Sequence, residues 1–142
     1  MRLGVAAEDL PVSAMRVTGA LTNTLADTRG AWVLQTHNHA RAEWRLTGVQ
    51  DGKLINIAID RTFVDANNVR WIIDFKTGSH EGGDVEAFLN NEQCRYRAQL
   101  DVYAAILNAM VGESPPREIR LGLYFPMLKG WREWEWGVPV SG

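Results

Sequence analysis

Four residues could do chemistry together if the fold gathers them: Glu43, Asp60, Asp74 and Lys76, the last two inside the run Trp71-Ile72-Ile73-Asp74-Phe75-Lys76-Thr77. Strand side chains alternate between faces, so Asp74 and Lys76 point one way while Ile73 and Phe75 point into a core. Carboxylates are hard oxygen donors suited to Mg²⁺, which keeps waters that can serve as nucleophile. A fixed ammonium stabilises charge developing on phosphate oxygens. The chemistry this set predicts is metal-dependent hydrolysis of a phosphodiester.

Two turns must position these residues, and both can be read from the chain. Asp51-Gly52 is a two-residue hairpin signal between a strand over Ala42–Gln50 and one over Lys53–Asp65, in which Ile55, Ile57 and Ile59 alternate. Pairing Gln50 with Lys53 and counting back sets Glu43 opposite Asp60. Ala66-Asn67-Asn68 reads as a three-residue loop into a strand over Val69–Thr77. Asp65 then pairs with Val69, and Asp60 falls opposite Asp74. All three acids share one rung, where opposed Cβ atoms lie about 4.5–5.5 Å apart and like charges cost up to roughly 1 kcal/mol per pair. A divalent cation reverses that sign, whereas a bulge in either strand would move an acid to the other face.

The rest of the chain supplies the frame. Val12, Met15, Val17, Leu21 and Leu25 predict a helix from Pro11 to about Asp27. Ala31-Trp32-Val33-Leu34 is a short apolar piece of open state, and His37-Asn38-His39 reads as a connection. Thr77 to Gly83 is a flexible loop. Asp84 caps a long helix to about Met110, whose Tyr96, Leu100, Tyr103, Leu107 and Met110 form the expected buried stripe. Gln99 and Tyr103 sit one turn apart on that helix. Gly112 to Pro116 ends it. Glu118–Phe125 reads as a strand, pairing across Lys129-Gly130 with a last strand over Trp131–Trp136. This order predicts an α/β fold: a mixed central sheet, with a three-strand antiparallel meander, a long helix and further strands, flanked by helices.

Composition narrows the class. The 142 residues, 46% hydrophobic with six Trp, fit one domain spanning 1–142. A lone Cys94 excludes an internal disulfide and a cysteine-based zinc or iron–sulfur site, and points to a reducing, cytoplasmic setting. No apolar run is long enough to span a bilayer, so no membrane partner is expected. A net charge of −2 argues against a nucleic-acid packaging protein but not against a nuclease that collects acids around a metal.

The set Ile59-Asp60-Arg61, Ile73-Asp74-Phe75-Lys76-Thr77-Gly78 and Tyr96-Arg97-Ala98-Gln99-Leu100-Asp101-Val102-Tyr103 resembles the PD-(D/E)XK nuclease superfamily, and more narrowly the C-terminal nuclease domain of RecB/AddA-type helicase-nucleases. The resemblance implies a restriction-endonuclease-like core and a DNA exonuclease used in double-strand-break repair and recombination. It implies that Asp60 and Asp74, with the Phe75 carbonyl, ligate Mg²⁺ or Mn²⁺, that Lys76 activates water or stabilises the phosphorane-like charge, and that Gln99 and Tyr103 contact the lysine region or DNA. Glu43 is included as a supporting acid. The implied partners are DNA and a helicase, in cis or in trans, since the chain carries no Gly-x-x-x-x-Gly-Lys-Ser/Thr motif of its own.

One departure qualifies the expectation. The upstream Gly-x-x-x-His of RecB/AddA-type domains has no counterpart here, so the chain reads as an N-terminally truncated fragment whose site lacks one ligand. The alternative reading is therefore a catalytically incomplete module that binds DNA or docks on a helicase; a purely structural interaction domain is a second. His37, His39 and His80 read as surface histidines, and Trp131, Trp134 and Trp136 as packing residues.

Overall fold

The computed structural model describes residues 26–78, 83–112 and 116–137. Most of the helix expected over Pro11–Asp27, and His80 in the glycine-rich loop, lie outside the described residues. The elements run α1 (Thr28–Leu34), β1 (Asn38–Gln50), β2 (Lys53–Val64), β3 (Arg70–Phe75), α2 (Val85–Val111), β4 (Ile119–Phe125) and β5 (Gly130–Glu135).

The five strands form one sheet in chain order. β1–β2, β2–β3 and β4–β5 pair antiparallel, and β3–β4 pair parallel. A parallel pair needs a long crossover, and α2 supplies it. Asp84 starts that helix by accepting from the Ala87 amide at 3.1 Å, and Gly112 ends it in the left-handed region at φ 59°.

Both faces of the central strands are covered. On one side α2 packs Leu89, Leu100, Ala104, Ile106 and Leu107 onto Ile57, Ile59, Ile72, Leu121, Leu123 and Phe125. On the other, Val33 of α1 meets Phe63, Trp71, Ile73 and Tyr124. Ile72 and Ile73, adjacent in sequence, are both buried, one on each side of the sheet. Strands covered twice carry unbroken apolar runs, as β3 and β4 do.

The short piece Ala31–Leu34 belongs to α1. Asp27 caps it, with Oδ2 accepting both from the Gly30 amide and from the Tyr124 hydroxyl at 3.0 Å. A seven-residue helix shows too few turns for a period to be read. His37 stacks on Phe63 with ring centroids 3.9 Å apart, and its Nε2 lies 2.6 Å from the Trp32 carbonyl. It is a packing residue, while the expected connection is already strand from Asn38.

Two further expectations need correcting. Met110 is 57% exposed, not part of the stripe. One turn earlier the methyls of Ile106 already press on Gly48 of the edge strand, where an added Cβ would meet them at 2.7 Å, so the helix has run past the sheet. The β4–β5 turn occupies Pro126 to Lys129, with Phe125 opposite Gly130. Gly130 is needed for packing: a Cβ there would lie 2.9 Å from both methyls of Leu89. Trp131 and Trp134 pack inward as expected, and Trp134 donates to Asp101 at 2.9 Å.

Candidate active site

The site lies where the sheet forks. The β1–β2 ladder runs from Gln50 opposite Lys53 through Trp44 opposite Ile59 and Ala42 opposite Arg61, which brackets Glu43 and Asp60 as facing positions. The β2–β3 ladder pairs Arg61 with Ile73 and Val64 with Arg70, and the Asp65 amide donates to the Val69 carbonyl at 2.9 Å. One step beyond Arg61 and Ile73, where this ladder ends, Asp60 faces Asp74.

Asp65 fixes that register. Its Oδ1 accepts from the amides of Asn67 and Val69 at 2.8 and 3.0 Å, and its Oδ2 from the Trp71 indole at 2.8 Å. Burial pushes this carboxyl up, but the Trp71 indole and the two amides together hold it below its ordinary value.

At the fork, β2 breaks its alternation. Ile57 and Ile59 lie in the core under α2, yet Phe63, also odd-numbered, lies in the core around α1. The faces therefore slip once between Ile59 and Phe63, and across from the slip Glu43 has a left-handed φ of 53°. Asp60 occupies this irregular point. Beyond the ladder the amide of Phe75 has no β2 carbonyl to meet; it donates instead to Asp60 Oδ2 at 2.9 Å.

The electrostatics follow from that placement. Burial, then the charge of Asp74 and a side-chain hydrogen bond shared with it, then the more distant Glu43, raise Asp60 from 3.8 to about 7 against the opposing pull of the Phe75 amide. Below about pH 7 Asp60 therefore keeps its proton. Lys76 completes the group: its Nζ is 2.7 Å from Asp74 Oδ2 and 3.5 Å from the centroid of the Tyr96 ring on α2. Both side chains are mostly covered, Lys76 at 20% exposure and Asp74 at 13%. The Lys76 amide donates to the Tyr124 carbonyl at 2.9 Å, which anchors the residue just past the end of β3.

Asp60, Asp74, Lys76 and the Phe75 backbone are thus brought together. Glu43 is exposed and reaches Asp60 only through its charge. Gln99 Nε2 donates to the Tyr103 hydroxyl at 2.8 Å, so these two helix residues bind each other. Tyr103 lines a shallow depression with Arg45, Thr47, Asn56 and Ala58, along the β1–β2 hairpin. The helix residue against Lys76 is Tyr96, one turn before Gln99. Its signal lay in the sequence, since it precedes the buried Leu100 by one turn and shares its face, but membership of an apolar stripe gave it a packing role. Arg61 was also missed as a structural residue: its guanidinium donates to the carbonyls of Val33 and Gln35, closing the C-terminus of α1.

Among the described residues no three His, Cys, Asp or Glu side chains converge as a metal-binding group. Two neighbouring carboxylates, one of them buried enough to keep its proton to about pH 7, nevertheless suit Mg²⁺. That ion is commonly held by one or two carboxylates and keeps several waters.

Fold and site together define a small α/β domain with an acid–acid–lysine centre at a strand fork. The sequence profile of the PD-(D/E)XK nuclease superfamily matches residues 4–135, and the chain belongs to that superfamily. No curated protein matches it. A crystal structure of SSO0001 is similar over 91% of this chain and 55% of that one, at 16% identity and a TM-score of 0.43, so the chain spans about half of that protein's length. No helix among the described residues is long and apolar enough to cross a membrane.

Proposed function

We propose that this domain is a Mg²⁺- or Mn²⁺-dependent DNA nuclease. The observation that carries the reading is the fork itself, where Asp60 accepts from the Phe75 amide at 2.9 Å and, on the facing strand, Lys76 lies 2.7 Å from Asp74. Asp60, Asp74 and the Phe75 carbonyl are the residues to hold the ion. Bound there, it supplies a water of lowered pKa and Lewis-acid polarisation of the scissile phosphate.

The chain's own groups do the rest. Asp60 must release its proton before its oxygens can act as ligands, so loading is favoured as pH rises toward and above about 7. Lys76 places a positive charge beside the acids, where it orients the attacking water and stabilises the equatorial oxygens of the phosphate in the transition state. Glu43 adds negative potential at the mouth of the fork. Gln99 and Tyr103 would contact the substrate strand, a role supported by the depression that Tyr103 lines with residues of the β1–β2 hairpin.

More narrowly, the domain acts as an exonuclease module of a RecB/AddA-like helicase-nuclease in double-strand-break repair and recombination, in the cytoplasm, with the helicase in cis or in trans. Supporting this are the order and spacing of Ile59-Asp60-Arg61, Asp74-Phe75-Lys76-Thr77-Gly78 and Gln99-x-x-x-Tyr103. A second reading, a module that binds DNA or docks on a helicase without cutting, is favoured by the two-carboxylate donor set among the described residues.

End-labelled single- and double-stranded DNA incubated with Mg²⁺ tests the choice. The nuclease reading expects products that vanish in EDTA and in Asp74→Ala while the circular dichroism spectrum is kept. Retained DNA binding with no cleavage under any divalent ion would support the second reading instead.

A further inference from the structure

Lysine is a poor fixed cation by itself, because its ammonium sits on a flexible four-carbon stem rich in rotamer entropy. Two contacts restrain Lys76: the carboxylate of Asp74 at 2.7 Å and the face of Tyr96 at 3.5 Å. They are not equivalent. Asp74 is also a candidate metal ligand, so its oxygens cannot be reserved for the ammonium. An aromatic face attracts a cation through its quadrupole, offers nothing to a divalent ion in competition with carboxylate oxygen, and accepts no proton.

Tyr96 is itself held firmly. It is half-buried against the α2-side core, one turn before the fully buried Leu100, and the guanidinium of Arg95 lies 5.0 Å from its ring centroid. Among the described residues it is tied to its surroundings by ring contacts and not through its hydroxyl. That division marks the ring as the working part.

We infer that Tyr96 is a positioning residue for the cleavage reaction: its ring holds the Lys76 ammonium at the fork and keeps it there when Asp74 is engaged elsewhere. This rests on the nuclease reading. It assigns the α2 face of the site to Tyr96, whereas Gln99 and Tyr103 are bonded to each other. Because the ring is the requirement, phenylalanine must serve as well as tyrosine, and an aliphatic residue of similar bulk must not.

The test combines single-turnover cleavage with NMR of the Lys76 side chain in wild type, Tyr96→Phe and Tyr96→Leu. Leucine preserves apolar volume, so folding is expected to survive, and circular dichroism checks it. The inference expects Tyr96→Phe to cut at the wild-type rate and Tyr96→Leu about tenfold more slowly, the scale of a partly desolvated cation–π contact, with DNA affinity unchanged. In a Lys76→Ala background, Tyr96→Leu should cause no further loss. The Lys76 ε-methylene protons should be shifted upfield by the ring in wild type and Tyr96→Phe and should return to the ordinary lysine position in Tyr96→Leu.

Equal rates in Tyr96→Leu and wild type, equal losses in Phe and Leu variants, or a Leu defect that persists without Lys76 would each overturn it. A wild-type chain that cuts no DNA sinks the nuclease reading separately. The upfield pattern then decides the positioning alone, supporting it if present in wild type and Tyr96→Phe only, and ending it otherwise.

Discussion

Replacing Asp60 with asparagine should stabilise the domain at alkaline pH while removing cleavage. Burial and the neighbouring Asp74 raise the Asp60 carboxyl from 3.8 to about 7 in the folded chain. Below pH 4 the group is protonated in folded and unfolded states alike and contributes no difference. Between pH 4 and 7 the unfolded chain has released the proton and the folded chain retains it, so stability falls as pH rises; above 7 the loss is complete. At about 1.4 kcal/mol per pH unit, an interval of roughly three units sets a ceiling of about 4 kcal/mol. An asparagine amide cannot ionise, yet its carbonyl oxygen can still accept from the Phe75 amide. Urea unfolding in EDTA at pH 4.5 and pH 8 reads the effect: the wild type should lose stability between the two, and Asp60→Asn should lose much less and be the more stable protein at pH 8. Added Mg²⁺ at pH 8 should then stabilise the wild type and not the variant, because only the ionised pair binds it. Parallel pH profiles for the two proteins, or an asparagine variant weaker at pH 8, would refute this account of the acid pair.

Other perturbations have expected outcomes of their own. Lys76→Met should lower the single-turnover cleavage rate by about 10²–10³, the usual scale for removing one transition-state charge donor, while melting behaviour stays near that of the wild type. Asp65→Ala removes three hydrogen bonds from the β2–β3 turn and should cost roughly 1–3 kcal/mol in urea unfolding. Its folded-state pKa lies below the ordinary value, so the contribution of Asp65 is present above about pH 4 and lost as pH falls; the gap between wild type and Asp65→Ala should therefore narrow in acid, a slope opposite in origin to that of Asp60. Gly122→Ala would set a Cβ 2.3 Å from the ring of Trp131, and overpacking against rigid aromatic atoms should cost about 3 kcal/mol or leave the chain insoluble, read by chemical denaturation and yield of soluble protein.

Much of the site was legible because turn chemistry counts residues. Asp51-Gly52 and the three residues after Asp65 fix two hairpins, and arithmetic along their strands places Glu43, Asp60 and Asp74 on facing positions; the ladders of β1–β2 and β2–β3 have that register. Counting does not reveal what the backbone does between the turns. The slip of faces beside Asp60, with Glu43 at a positive φ, is a tertiary adjustment that lets the outer hairpin stay on α2 while the inner strands take cover on both sides. Which residues cover which side was hidden for a related reason: an apolar run such as Trp71-Ile72-Ile73 does not say which of its members faces α1 and which α2. Tyr96 and Tyr103 are alike in sequence terms, both on the apolar stripe of α2. Only the crossing of the helix over the end of β3 distinguishes the ring that meets Lys76 from the one that lies along the hairpin.

The claim on which the account stands is that the forked strands bring Asp60 and Asp74 together to hold one divalent ion beside Lys76. Crystals of the domain soaked in Mn²⁺ above pH 7 test it directly through anomalous scattering. The account predicts a peak within coordination distance of both carboxylates and next to the Lys76 ammonium, absent from Asp74→Ala crystals. Soaked wild-type crystals with no peak at the fork, or with Mn²⁺ bound only elsewhere, would contradict it.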